Sequence, residues 1–109
     1  MAEILGGFEQ AVLLAILRLG DGAYGRAVLS EVQSRLGRTV AVGAVQATLD
    51  RLERKGLVAS RLGTGTPVRA GRARRFYRLK PEAVRALNQA RATVDALWQG
   101  FQFPLKGHL

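Results

Sequence analysis

The chain has 109 residues, of which 17 are basic, 8 are acidic and none is cysteine. That length suits one domain with a modest core, and a 48% hydrophobic content excludes a disordered basic tail. A net charge of +9 points to a polyanionic partner, nucleic acid before acidic protein or membrane surface, while the lack of cysteine excludes disulfides and thiolate metal sites.

The longest apolar run, Ala11 to Leu17, is far shorter than the roughly 20 residues of a spanning helix. Glu3 and Glu9 near the start argue against a secretory leader. The expectation is a cytoplasmic protein with no membrane partner.

Phe8 to Leu19 reads as a helix whose centre, AVLLAIL, is apolar almost all round and so is expected to be buried on several sides. Gly20-Asp21-Gly22 closes it. Tyr24 to Leu36 reads as a second helix with Val28, Leu29, Val32 and Leu36 on one face, and Gly37 ends it. A short turn leads to a third helix from Val42 to about Lys55. Its spacing places Val42, Val45, Thr48, Leu49 and Leu52 on an inner arc and Gly43, Gln46, Ala47, Asp50, Arg51 and Arg54 on the outer one.

Leu57 to Leu62 and Arg74 to Leu79 read as two strands joined by a tip containing Gly63, Gly65, Pro67 and Gly71. Tyr77 and Leu79 are expected to face the core, with the arginines facing out. The tip is too long for a tight turn, and its centre is expected to be poorly ordered without a ligand. Pro81 suits the first position of a last helix. That helix carries a stripe of Val84, Leu87, Ala90, Val94, Trp98 and Phe101, flanked by Leu97, with Pro104 as the stop.

The charge is concentrated. From Arg54 to Lys80 there are nine basic residues and no acidic one, leaving eight of each sign elsewhere. A cationic hairpin directly after a short helix is what a winged helix-turn-helix needs to grip nucleic acid. The fold expected is therefore α+β, with a DNA-binding domain over residues 5–80 and a dimerisation helix over 81–104. Gln46, Gly43 and Ala47 are candidates for base edges, because glutamine can pair with adenine through two bonds and small residues admit a thymine methyl. Arg51, Arg54, Arg61, Arg69, Arg72, Arg74 and Arg75 are candidates for phosphate or minor-groove contacts. The last stripe, rich in large apolar residues, suits a symmetric interface between two copies.

Catalysis has little support. The one histidine, His108, sits next to the last residue, the carboxylates are scattered, and Gly63-Thr64-Gly65-Thr66 lacks the Lys-Ser/Thr of a phosphate loop. The reading is of a non-enzyme without cofactor. The alternative is a protein-interaction module whose basic wing docks an acidic protein.

Taken together, FEQAVLLAILRLGDGAYG, VGAVQATLDRLERKGLV, the basic hairpin ending RRFYRL and the helix after Pro81 resemble the PadR family of winged-helix transcriptional regulators, in its compact form with one C-terminal helix. The resemblance implies a homodimer formed through the last helix, often with the first. It also implies binding to pseudo-palindromic operators, usually as a repressor, with the Tyr24-Gly25 pair near the DNA backbone. Some relatives take flat aromatic or other small ligands near the dimer interface, which makes a small-molecule effector beside Trp98 an expectation. Three positions depart from the pattern: Ala41 stands where a helix-capping Ser or Thr is usual, Gln46 where a tyrosine is common, and Lys80 where threonine is usual.

Overall fold

The computed structural model describes residues 4–63 and 74–107. Four helices, α1 (Gly7–Leu19), α2 (Gly25–Leu36), α3 (Val42–Arg54) and α4 (Pro81–Trp98), surround a two-stranded sheet of β1 (Val58–Leu62) and β2 (Arg75–Leu79). The expected hairpin tip, with Arg69 and Arg72 on it, lies outside the described residues, as does His108.

The core forms where the inner faces of the first three helices meet the hairpin. Val12, Leu13, Ala15 and Ile16 of α1 pack with Val28 and Val32 of α2, with Val45, Leu49 and Leu52 of α3, and with Val58 and Tyr77. Two backbone positions close this arrangement. Gly37 at φ 67° turns the chain out of α2, and Gly56 at φ 78° turns it from α3 into β1, both in the left-handed region that favours glycine. The strands pair antiparallel from Val58↔Leu79 to Leu62↔Arg75. A single bridge between Tyr24 and Phe76 adds the residue before α2 to the open edge of β2.

Three expectations about burial are corrected. Leu14 and Leu17 of α1 are exposed, so the apolar centre of that helix is covered on one side only. Leu36 is also exposed, one turn beyond the reach of the core. Val42, assigned to the inner arc of α3, is 67% exposed, because the first turn of α3 projects past its packing partners.

Helix α4 has two unlike halves. Pro81 occupies its first turn, and Lys80 N donates to Leu57 O at 2.9 Å, which ties the helix start to the residue before β1. Ala83, Ala86, Leu87 and Ala90 pack on the core of the same chain. Ala90 is fully covered there, so it does not belong to a free stripe as expected, while Leu87 is half-buried. Beyond them Val94, Leu97 and Trp98 are exposed, as is Val84 on the outer side of the first half. The helix stops at Trp98 rather than continuing toward Pro104: Gln99 is extended and Gly100 has φ 93°. Phe101 therefore lies after the helix, and the Trp98 ring meets Phe103 edge-on at 5.8 Å.

Candidate nucleic-acid interface

The outer face of α3 and the base of the hairpin are the two candidate surfaces, linked where Gly25, next to Tyr24 in the chain, lies by Gln46 Oε1. Ala41 caps α3 without any side-chain hydrogen bond, and the turn before it is fastened instead by Val40 N donating to Gln33 Oε1 at 2.9 Å. The absent hydroxyl cap thus leaves the first N–H groups of α3 without a side-chain acceptor. At the exposed Gly43 an added Cβ would meet nothing within 4 Å, and Ala47 is also exposed. Both leave the helix surface low.

Gln46 is less free than its outward position suggests. Its Nε2 donates to Asp50 Oδ1 at 3.0 Å and to the hydroxyl of Tyr77 at 3.3 Å. The bidentate adenine pair expected of it requires a free amide hydrogen, and both are engaged. Arg51 is turned away as well. Its Nε donates to Glu9 Oε2 at 3.4 Å and its Nη2 to Thr48 Oγ1 at 3.3 Å, which places the guanidinium on the α1 side of α3. Arg54 is exposed, and no hydrogen bond or ion pair among the described residues holds it.

The hairpin base is organised by strand alternation. Arg61 and Phe76 are paired across the sheet, with Arg74 and Arg78 on the same face as Phe76; Leu62 and Arg75 share the opposite face with Tyr77. Tyr24 and Phe76 meet edge-to-face at 5.7 Å. The Arg61 guanidinium lies 5.0 Å from the Phe76 ring centre, and that of Arg74 lies 4.2 Å from the Tyr24 ring centre. The two arginines thus flank an aromatic pair. A guanidinium held by its flat face keeps its N–H edge available for a phosphate oxygen. Gly63 makes room for this cluster, since a Cβ there would fall 2.7 Å from Phe76 Cε1. Arg75 points the other way, donating to Ser60 Oγ at 2.9 Å, which in turn donates to Glu53 Oε2 at 2.7 Å.

Tyr24, Arg61 and Arg74 are therefore brought together, Gly43, Gln46, Ala47 and Arg54 line the outer face of α3, and Arg51 and Arg75 are engaged within the chain. Sequence reasoning missed Phe76 and Val42. Alternation alone sets Phe76 opposite Tyr77 and beside Arg74, a signal present in the spacing; Val42 is placed on the inner arc by its spacing, and its exposure comes from the structure.

A helix-turn-helix followed by a two-stranded wing defines this as a winged-helix protein. The family model described as the transcriptional regulator PadR-like family matches residues 13–89, and the chain belongs to that family. Among solved structures, it is similar to a PadR family transcriptional regulator from Eggerthella lenta DSM 2243, with 28% identity, a TM-score of 0.63, and coverage of 82% of this chain and 75% of that one. It shares its fold with a transcriptional regulator from Clostridium thermocellum at 22% identity and a TM-score of 0.66, covering 84% of each chain. The fold also recurs in a PadR family transcription regulator from Clostridium difficile R20291 at 23% identity and a TM-score of 0.59, covering 84% of this chain and 95% of that one. No curated protein matches the chain.

Proposed function

We propose that this regulator binds duplex DNA as a homodimer in the cytoplasm and represses transcription from a pseudo-palindromic operator. The observation that carries the DNA reading is the Arg61–Phe76–Tyr24–Arg74 cluster, with the low α3 face reached from Tyr24 through Gly25, which lies by Gln46 Oε1. The α3 face suits a groove floor and the cluster suits the flanking phosphates. Arg54 extends the basic surface along α3; Arg69 and Arg72, outside the described residues, stay candidates for phosphate contact on their charge alone.

The dimer is supported by apolar surface that the protomer leaves open. Val94, Leu97, Trp98 and Phe101 are exposed at the end of α4, and Leu14 and Leu17 are exposed on α1. A groove of about 470 Å³ runs beside the first half of α4, bordered by Leu5, Leu57 and Ala86 with Lys55, Glu82, Arg85 and Gln89 at its polar margin. A second copy covering these surfaces removes apolar area that a lone soluble protomer avoids exposing. The two-fold axis then calls for half-sites about one DNA turn apart, or a multiple of it.

Mobility-shift assays with duplex DNA, single-stranded RNA and an acidic protein test the partner. Selective retention of duplex is expected, and capture of the acidic protein alone would replace this reading with a protein-docking wing. Val94→Asp with Leu97→Asp tests the dimer, since both side chains are exposed and the change leaves the core alone. Sedimentation is expected to give a folded monomer that has lost specific binding. A monomeric wild type that still binds a palindrome tightly would refute the dimer.

A hollow of about 230 Å³ lined by Leu97, Trp98, Phe101 and Leu105 supports a flat aromatic effector at the same interface. Such a ligand would quench the single tryptophan and release DNA together; quenching without release would leave Trp98 as an interface anchor only.

A further inference from the structure

The centre of the α3 outer face presents hydrogen-bond acceptors and apolar surface. Gln46 has two amide hydrogens and one carbonyl oxygen. Asp50 Oδ1 takes one hydrogen at 3.0 Å and the Tyr77 hydroxyl takes the other at 3.3 Å. Tyr77 is a fixed post. It is buried, and its backbone N donates to Ala23 O at 2.8 Å. What Gln46 has left is Oε1. That atom lies by Gly25, where an added Cβ would approach it to 3.9 Å. Asp50 is itself an acceptor on the same exposed face. Beside the amide, Gly25, Arg26, Leu29, Val42 and Val45 border a hollow of about 200 Å³, with Val42 at its exposed rim and Arg26, on α2, its one charged member.

We infer that α3 reads an exocyclic amino group, adenine N6 or cytosine N4, next to a thymine methyl, and rejects guanine and thymine at the amino position. This rests on the DNA-binding reading above and states which base edges that surface takes. In the major groove the exocyclic amino groups of adenine and cytosine are the base-edge donors, whereas guanine shows N7 and O6 and thymine shows O4, all acceptors. An acceptor facing O6 or O4 leaves both groups unpaired and desolvated. Glutamine ordinarily reads adenine through two bonds, donating to N7 and accepting from N6. Here the donating half is engaged inside the protein, so N7 goes unread and cytosine becomes an equal candidate. Val42 and its hollow favour a neighbouring methyl group, which thymine supplies and uracil lacks.

The test is selection from a random duplex library, followed by base analogues in the preferred site. The position whose preference vanishes in Gln46→Met is expected to be adenine or cytosine. If it is adenine, 7-deazaadenine, which lacks N7, is expected to bind within about two-fold of the parent, and purine, which lacks the amino group, about ten-fold or more weakly. If it is cytosine, 2-pyrimidinone is expected to show the same weakening. Uracil in place of the adjacent thymine is expected to weaken binding in the wild type and not in Val42→Ala. Tyr77→Phe, checked for an unchanged melting curve, frees one amide hydrogen and is expected to make binding sensitive to 7-deazaadenine. Guanine or thymine at the Gln46-dependent position, or equal weakening by 7-deazaadenine and purine in the wild type, would overturn the inference. A library that yields no preferred sequence would instead remove the sequence-specific DNA reading on which it stands.

Discussion

Glu9→Gln tests the clamp that fixes α3 against α1. Glu9 Oε2 accepts from Lys55 Nζ at 2.9 Å and from Arg51 Nε at 3.4 Å, while Oε1 accepts from Gly6 N at 3.3 Å. The Glu9 side chain is 13% exposed, against 43% for Arg51 and 39% for Lys55. Burial works to raise the Glu9 pKa, but the Lys55 ammonium, the Gly6 N–H and the Arg51 guanidinium together outweigh it and hold the carboxyl below its ordinary range. A carboxylate with a lowered pKa in the folded state contributes stability that is fully present above its unfolded value and is lost as pH falls through the folded one. Glutamine keeps the shape and an acceptor for Gly6 but removes the charge. Because both cationic partners are substantially in water, screening reduces the loss to about 1 kcal/mol, below the range for buried charged hydrogen bonds. In a domain of this size that corresponds to a fall in Tm of about 4 °C at neutral pH. Melting followed by circular dichroism, at one fixed protein concentration because of dimer linkage, is expected to show this gap at pH 7. The gap should narrow in high salt and shrink as pH falls from the ordinary carboxylate range through the lowered folded pKa of Glu9. A gap that stays unchanged however far the pH falls into the acid range, or no gap at pH 7, would refute the clamp.

Other consequences follow from the hairpin and the turns. Arg61→Ala and Arg74→Ala should each lower the slope of log affinity against log salt by about 0.9 for every phosphate that the arginine neutralises, with base preference unchanged; an unaltered slope would take that arginine out of the interface. Gly63→Ala should push the Phe76 ring aside, since the new Cβ would lie 2.7 Å from Phe76 Cε1 and 3.3 Å from Arg74 O. Duplex affinity should then fall while the melting curve moves little; full affinity would show that Phe76 does not position the arginines. Gly56→Ala places a side chain at φ 78° and should cost about 1–2 kcal/mol, or roughly 4–8 °C in Tm. Leu49→Ala, at a fully buried position, should cost about 2–5 kcal/mol by the same melt.

The contrast between what could and could not be read from the chain follows the range of the interactions. The helices were legible because their apolar periodicity and their glycine stops are local: Gly37 and Gly56 end α2 and α3 where expected. The hairpin register was implicit in alternation, which also separates Arg74 from Arg75, although both were assigned to one task. The engagement of Arg51 with Glu9 and of Gln46 with Tyr77 was not legible, because each joins residues far apart in sequence. A helical wheel shows which way a side chain leaves the helix and says nothing of a partner brought beside it by another element. Val42 failed for a related reason: its position on the wheel was inner, but the first turn of α3 runs beyond the elements that would cover it.

The division within α4 bears on regulation. Its first half is fixed to the core through Ala83 and Ala90, and its start is fastened to the residue before β1 by the Lys80–Leu57 hydrogen bond. Leu57 N in turn donates to Leu52 O at 3.0 Å, so the start of α4 and the end of α3 are joined through two backbone hydrogen bonds. The exposed end of α4 is therefore the outer part of a lever whose inner part is attached near the end of α3. In the proposed dimer, a ligand that changes how two α4 ends pack alters the separation of the two α3 helices rather than bending a flexible joint. An effector needs only unequal affinity for the two spacings to shift DNA binding. Inserting a Gly-Gly pair between Leu79 and Lys80 should therefore uncouple the two sites: Trp98 quenching by a ligand should survive, while ligand-driven release of DNA should not. Release that persists through the insertion would place the coupling elsewhere, with the exposed face of α1 as the remaining route.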